Sequence, residues 1–270
     1  MPELPEMETY KSLLTQSVVG MPVHSVEIRR ERTINVEPDQ FTEHVIGRQI
    51  TQIRRRAKHI VFHLNAPYVL VVHLMLGGWM YFGSADDVPK HESQVILSFA
   101  GGRKLFFQGL RLGYLHLLTY PQLEEKFRGL GPEPLADDFT EAMFEKVLRR
   151  KRGVLKTALV DQHCIAGIGN CYSDEICYEA GVLPLRRVQD VPSTTISALY
   201  RAMHAVLERA ISFGGYMEFP FCQGDELTGG YNDHCLVYDR GNEPCLRCGH
   251  LVIQTSHQKR KVFYCPHCQH

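Results

Sequence analysis

Apolar residues first recur at helical spacing: Met7, Tyr10, Leu13, Leu14 and Val18 follow one another every three or four positions, and Gly20 is a natural stop. One face of a helix starting near Pro5 is therefore expected to be buried. From residue 22 to about 120 the period shortens, and β-rich runs occupy 23–28, 49–64, 68–76, 79–82, 94–100, 104–108 and 113–119, punctuated by Gly77-Gly78 and Gly101-Gly102. Strands at this density predict an antiparallel sandwich or barrel with the first helix laid against it, so that residue 2 lies at a sheet edge or mouth. The strands stop at Gly129-Leu130-Gly131-Pro132-Glu133-Pro134, a Gly/Pro segment of interdomain character. Helices follow at 140–149, capped by Asp138, and at 154–160, 170–180 and 193–213, the last with Ile196, Leu199, Tyr200, Met203, Val206, Leu207 and Ala210 on one stripe. Residues 214–235 have no period and read as a long loop, of a length that is usually functional or mobile.

Composition narrows the class without naming a function. The chain has 270 residues, 44% hydrophobic and 22% charged, as in ordinary globular proteins. No run is long enough to span a membrane, and the acidic start lacks the features of a signal peptide, so a cytosolic location is expected. Thirty basic and thirty acidic residues cancel, which counts against a nucleic-acid partner unless the charges are segregated. They are partly segregated. Arg29, Arg30, Arg32, Arg48, Arg54, Arg55, Arg56 and Lys58 crowd one stretch, Lys146 to Arg152 a second, and Lys259, Arg260 and Lys261 a third.

Two segments carry chemistry. Cys245-x2-Cys248 and Cys265-x2-Cys268 have the spacing of a four-cysteine tetrahedral zinc site, one structural ion folding a small hairpin. The other five cysteines are irregularly placed and read as buried apolar side chains. At the other end stands Met1-Pro2-Glu3-Leu4-Pro5-Glu6. A small second residue normally permits removal of Met1, leaving Pro2 with a free secondary amine of pKa about 7.7–8.0. Such an amine attacking a sugar carbon gives an iminium directly, and Glu3 or Glu6 can move its protons. The plainer reading is a helix start, with proline and acids in the first turn.

Taken together, these motifs resemble the bacterial formamidopyrimidine-DNA glycosylases, relatives of endonuclease VIII. Pro2-Glu3-Leu4-Pro5-Glu6 is similar to the family's N-terminal signature; Gly167-Ile168-Gly169-Asn170, continuing through Tyr172, Asp174 and Glu175 to Ala180-Gly181, looks like its helix-two-turns-helix element; and the cysteine ribbon with Arg260 looks like its zinc finger. The resemblance implies an α+β fold: an N-terminal antiparallel β-sandwich flanked by helices (1–131), a helical DNA-binding domain with a lesion loop (132–234), and a four-cysteine zinc-finger hairpin (235–270). It further implies a bifunctional glycosylase and abasic-site lyase acting by β,δ-elimination on oxidised bases in double-stranded DNA, as a cytoplasmic, nucleoid-associated monomer. In this comparison Pro2 is the nucleophile, Glu3 the acid/base and Glu6 a supporting carboxylate. Lys58, Asn170 and Arg260 grip phosphates, and Lys156 contacts DNA or base. The family fills the vacated stack with a methionine, an arginine and a phenylalanine; here Leu76, Leu110 and Leu112 stand in those places, and no arginine reads the opposite base unless Arg111 does so in a shifted register, which leaves opposite-base selectivity open. The rival readings are an endonuclease VIII-like or specialised lesion range, a damaged-DNA binder without chemistry, and a protein-interaction scaffold.

Overall fold

The computed structural model describes residues 1–270. It divides into two compact units, Met1–Arg128 with Phe213–Gly230, and Gly129–Ser212 with Tyr231–His270.

The first unit opens with α1 (Leu4–Val18), whose apolar face, Met7, Tyr10, Leu14 and Val18, is fully buried. Eight strands follow: β1 (Ser25–Ile28), β2 (Ile50–Arg56), β3 (His59–Leu64), β4 (Tyr68–His73), β5 (Trp79–Gly83), β6 (Ser93–Ser98), β7 (Lys104–Gln108) and β8 (Tyr114–Thr119). They pair antiparallel into two four-stranded sheets, ordered β1-β6-β7-β5 and β2-β3-β4-β8. Alternate residues of both sheets, among them Ile60, Phe62, Leu70, Val72, Met80, Val95, Leu97 and Phe107, share one core with α1, as in a sandwich.

The run read as 49–64 is in fact a hairpin. It turns at Ala57, held at φ 52°, and His59 pairs back onto Arg56. Two helices carry no clear sequence signal: α2 (Pro38–Val45) and α3 (Tyr120–Phe127). Helix α3 covers the outer face of the second sheet, where Leu123 and Phe127 pack on Val61, Val69, Val71 and Leu118. That cover explains why β4 is apolar on both faces rather than alternating.

The segment Phe213–Gly230 belongs to this unit, not to the helical one. Phe219 stacks on Trp79 at 4.5 Å, Phe221 stacks on Phe82 at 6.1 Å and meets Tyr10 edge-on, and the Phe82 amide donates to the Phe221 carbonyl. The loop thus covers the β5 edge of the first sheet, which would otherwise present open backbone groups. Asp225 organises its turn by accepting from the amides of Phe221, Leu227 and Thr228.

The second unit holds α4 (Glu141–Arg149), α5 (Leu155–Leu159), α6 (Asn170–Glu179), α7 (Ser193–Ser212) and the hairpin β9 (Ile253–His257) with β10 (Arg260–Tyr264). Thr140, not Asp138, caps α4, its hydroxyl accepting from the Met143 amide at 3.4 Å. Helix α7 buries the predicted stripe except Tyr200, which is half-buried with its hydroxyl on the Phe139 carbonyl.

Candidate active site and nucleic-acid contacts

The N-terminal turn is built by reciprocal capping. Glu3 is the N-cap of α1 and is 1% exposed; its amide donates to Glu6 Oε2 at 2.6 Å, and the two carboxylates form a capping box. Glu6, fully buried, accepts at its other oxygen from the amide of Tyr216 at 3.0 Å. Gly215 makes that approach possible: its φ is +71°, and a Cβ there would stand 2.3 Å from Glu6 Oε1. The Tyr216 hydroxyl in turn donates to the Met1 carbonyl at 2.8 Å and reaches Glu3 Oε1 at 3.5 Å. Pro2 is half-buried, one residue ahead of the N-cap, and Glu3, Glu6 and Tyr216 surround the turn that carries it. Tyr216 was not singled out in the sequence, and the only signal for it was the preceding Gly214-Gly215 pair.

Lys58 follows the left-handed Ala57 in the β2–β3 turn and is 5% exposed. Its charge, with that of Lys126, adds to burial in holding the His73 imidazole down to about 4, burial being the largest cause. His73 belongs to an aromatic cluster with His59, Tyr114 and His116 on β3, β4 and β8. Burial first, then Lys126, likewise pushes His116 down to about 4, and burial with His73 and Lys126 holds His59 well below its ordinary value.

The three leucines separate. Leu76 and Leu112 are 62% and 63% exposed, whereas Leu110 is fully buried, its amide held by Gln94 Oε1 at 2.8 Å. Leu110 is therefore a core residue beneath the two loops and presents nothing to a ligand. Gly109, at φ +65°, packs so closely that a Cβ would meet the Gly77 carbonyl oxygen at 1.9 Å, and this contact keeps the Leu76 and Leu112 loops side by side. Arg30 clamps the second loop from below through the Leu110 and Arg111 carbonyls, both at 2.9 Å.

Other members of the first basic cluster are also partnered within the chain. Arg55 pairs with Glu8 at 2.7 Å and Arg29 with Glu27 at 2.7 Å, so this stretch is less of a free cationic face than its composition suggests.

In the second unit, Lys156 is 1% exposed. Its ammonium donates to the Asn170 carbonyl at 2.7 Å and pairs with Asp174 at 2.7 Å. A side chain so enclosed cannot touch DNA or base directly; it fixes the first turn of α6, where Asn170 follows the N-cap Gly169. Asp174 accepts from the Phe263 amide at 3.1 Å, which ties α6 to β10 three residues beyond Arg260. Burial pushes the Asp174 carboxyl up to about 7, against the pull of Lys156 and the amide. Glu175 accepts from the consecutive amides of Leu236, Val237 and Tyr238 at 2.8–2.9 Å, and burial raises its carboxyl against those three donors. The two acids of the motif thus anchor the zinc segment to the helix.

Arg260 opens β10 on an exposed hairpin whose turn residues Gln258 and Lys259 both have positive φ, 48° and 64°. Cys245, Cys248, Cys265 and Cys268 bring their sulfurs within 4.8 Å of one another, with Cys245–Cys268 at 3.9 Å and Cys248–Cys265 at 3.5 Å. Zinc–sulfur bonds of about 2.3 Å in a tetrahedron require sulfur separations of about 3.8 Å, so the set fits a structural zinc. The remaining cysteines form no disulfide and, apart from the half-buried Cys222, are buried.

Three family models match the chain: the formamidopyrimidine-DNA glycosylase N-terminal domain over residues 1–114, the H2TH domain of the same enzymes over 130–218, and the zinc finger found in FPG and IleRS over 242–270. Formamidopyrimidine-DNA glycosylase of Pelotomaculum thermopropionicum is 33% identical, covering 100% of this chain and 99% of its own. That of Roseiflexus sp. is 35% identical, covering 100% of both. Among solved structures, Lactococcus lactis Fpg in complex with DNA containing N7-benzyl-Fapy-dG, and the same protein with abasic-site DNA, each superpose with a TM-score of 0.91 at 28% identity over 99% of both chains.

Proposed function

The chain belongs to the formamidopyrimidine-DNA glycosylase family, and on that premise we propose that it excises oxidised bases from double-stranded DNA and cleaves the resulting abasic site through an iminium on Pro2. DNA-repair glycosylase activity goes with the family; the lyase step and the proline intermediate are what we propose beyond it. The observation that carries it is the buried capping turn of Glu3 and Glu6, which fixes Pro2 at the head of α1 with a carboxylate on either side of the helix start.

Chemistry at an anomeric carbon requires the nucleotide to leave the stack, at a cost of a few kcal/mol. In this reading Asn170 and Arg260 offset that cost by gripping phosphates, the first at a helix N-terminus and the second with a bidentate guanidinium. Lys58 supplies a further phosphate contact. Lys156 serves through Asn170 rather than by touching DNA. Leu76 and Leu112 enter the vacated space as apolar wedges. Neither can hydrogen-bond a base edge, so discrimination among the four opposite bases is expected to be weak unless the exposed Arg111 beside Leu112 reads that edge.

Borohydride trapping on abasic DNA tests the proposal. Protein whose intact mass shows loss of Met1 should give a covalent adduct, and Pro2→Gly or Glu3→Gln should abolish it. Normal affinity for damaged DNA without an adduct from processed protein would leave a binder without chemistry. Binding unmoved by salt would instead point to a protein scaffold, because phosphate contacts make affinity steeply salt-dependent.

A further inference from the structure

Before processing, Met1 acylates Pro2, and its carbonyl carbon occupies the bond on the Pro2 nitrogen that the sugar's anomeric carbon would take in the covalent intermediate. The Met1 carbonyl oxygen therefore stands in for an oxygen borne by that carbon. The hydroxyl of Tyr216 donates to this oxygen at 2.8 Å and lies 3.5 Å from Glu3 Oε1, while the Tyr216 amide is locked on Glu6. Gly215, which tolerates no side chain against Glu6, fixes the backbone that presents the phenol.

We propose that Tyr216 is a further catalytic residue, delivering the proton to the oxygen that leaves the anomeric carbon as the Pro2 iminium forms. This rests on the Pro2 mechanism above. The Pro2 lone pair bonds the anomeric carbon as the bond to the base breaks and the base takes a proton from solvent, or it adds to the aldehyde carbon of an abasic sugar, whose carbonyl oxygen is protonated by solvent to a hydroxyl. The carbon then carries nitrogen and an oxygen, the ring oxygen or that hydroxyl, and the N–H proton of the new ammonium passes to the Glu3 carboxylate. The nitrogen lone pair returns to make the carbon–nitrogen double bond, the carbon–oxygen bond breaks, and its electron pair stays on oxygen. That oxygen takes the Tyr216 hydroxyl proton. The phenolate recovers a proton from the Glu3 carboxylic acid, so the net transfer runs from Glu3 to the leaving oxygen, and Glu3 is left as a carboxylate able to accept the neighbouring sugar proton.

The test uses full-length, Met1-processed protein and single-turnover borohydride trapping on abasic DNA. Tyr216→Phe should slow adduct formation roughly 10²-fold, the scale of a lost general acid. Affinity for DNA carrying a tetrahydrofuran abasic analogue should stay within about twofold, since the change removes no phosphate contact. Tyr216→Leu separates this from packing: the proton role requires Y216F to lose as much as Y216L, whereas Y216F trapping at the wild-type rate overturns it. A normal solvent deuterium isotope effect on wild-type adduct formation is also expected, and its absence overturns the proposal without recourse to any variant. Failure of the wild-type protein to trap would instead defeat the Pro2 mechanism itself, so the two failures are distinguishable.

Discussion

Lys156 shows how a single buried charge can be misread from sequence. Its partner Asp174 is also fully buried, and Lys156→Met would leave that carboxylate unpaired, at a cost of about 3–5 kcal/mol. Because burial already lifts Asp174 to about 7, protonation relieves part of the penalty in acid. The loss on K156M should therefore be larger at pH 8 than at pH 5.5, as measured by urea denaturation at both values. The histidines act in the opposite sense. His73 and His116 are held near 4 and His59 well below its ordinary value, so the unfolded chain binds more protons between about pH 6.5 and 4. Stability from these groups is complete above the unfolded value and is lost as pH falls toward 4. Proton uptake on unfolding in this window, reduced in His116→Gln, would confirm it.

At the scale of elements, the hairpin that carries Arg260 is the strained part. A two-residue turn with both φ positive favours asparagine and glycine, yet Gln258 and Lys259 occupy it. Lys259→Gly should stabilise the zinc-loaded protein by up to about 1 kcal/mol, read from the urea midpoint. The turn keeps side chains there at the expense of backbone comfort, and the same substitution removes a cation beside Arg260, so a modest fall in DNA affinity should accompany the gain. Helix α6 shows the converse economy. Its acids Asp174 and Glu175 both accept backbone amides from the zinc segment, and Glu175→Gln, which places an amide NH2 among three N–H donors, should loosen residues 236–238 and lower the melting temperature.

For the whole molecule, the useful fact is that the only tryptophan, Trp79, lies in the first unit, stacked on Phe219, while the four cysteines lie in the second. Chelation of zinc, or Cys248→Ser, should unfold the hairpin and abolish tight DNA binding, because structural zinc supplies the folding free energy of such a small element. Trp79 fluorescence should be unchanged. A shift of its emission on chelation would show that the sandwich depends on the zinc-bearing unit.

Periodicity and spacing determined a good deal unaided: the first helix, the strand-rich half and its antiparallel character, the long helix α7, and the four zinc ligands. Each of these is local, a repeat of 2 or 3.6 residues or a pair of cysteines two apart, and so survives without knowledge of the fold. The helix start at Pro2, Glu3 and Glu6, with proline and acids in the first turn, was legible for the same reason. Only the tertiary structure could decide the rest. Helix α3 escaped notice because its role is to cover a sheet face, and that face is apolar only where the helix lies. Leu76, Leu110 and Leu112 look alike in sequence, yet one is core and two are surface. The segment around Tyr216 joins Glu6 across more than two hundred residues, by a hydrogen bond that no local pattern encodes.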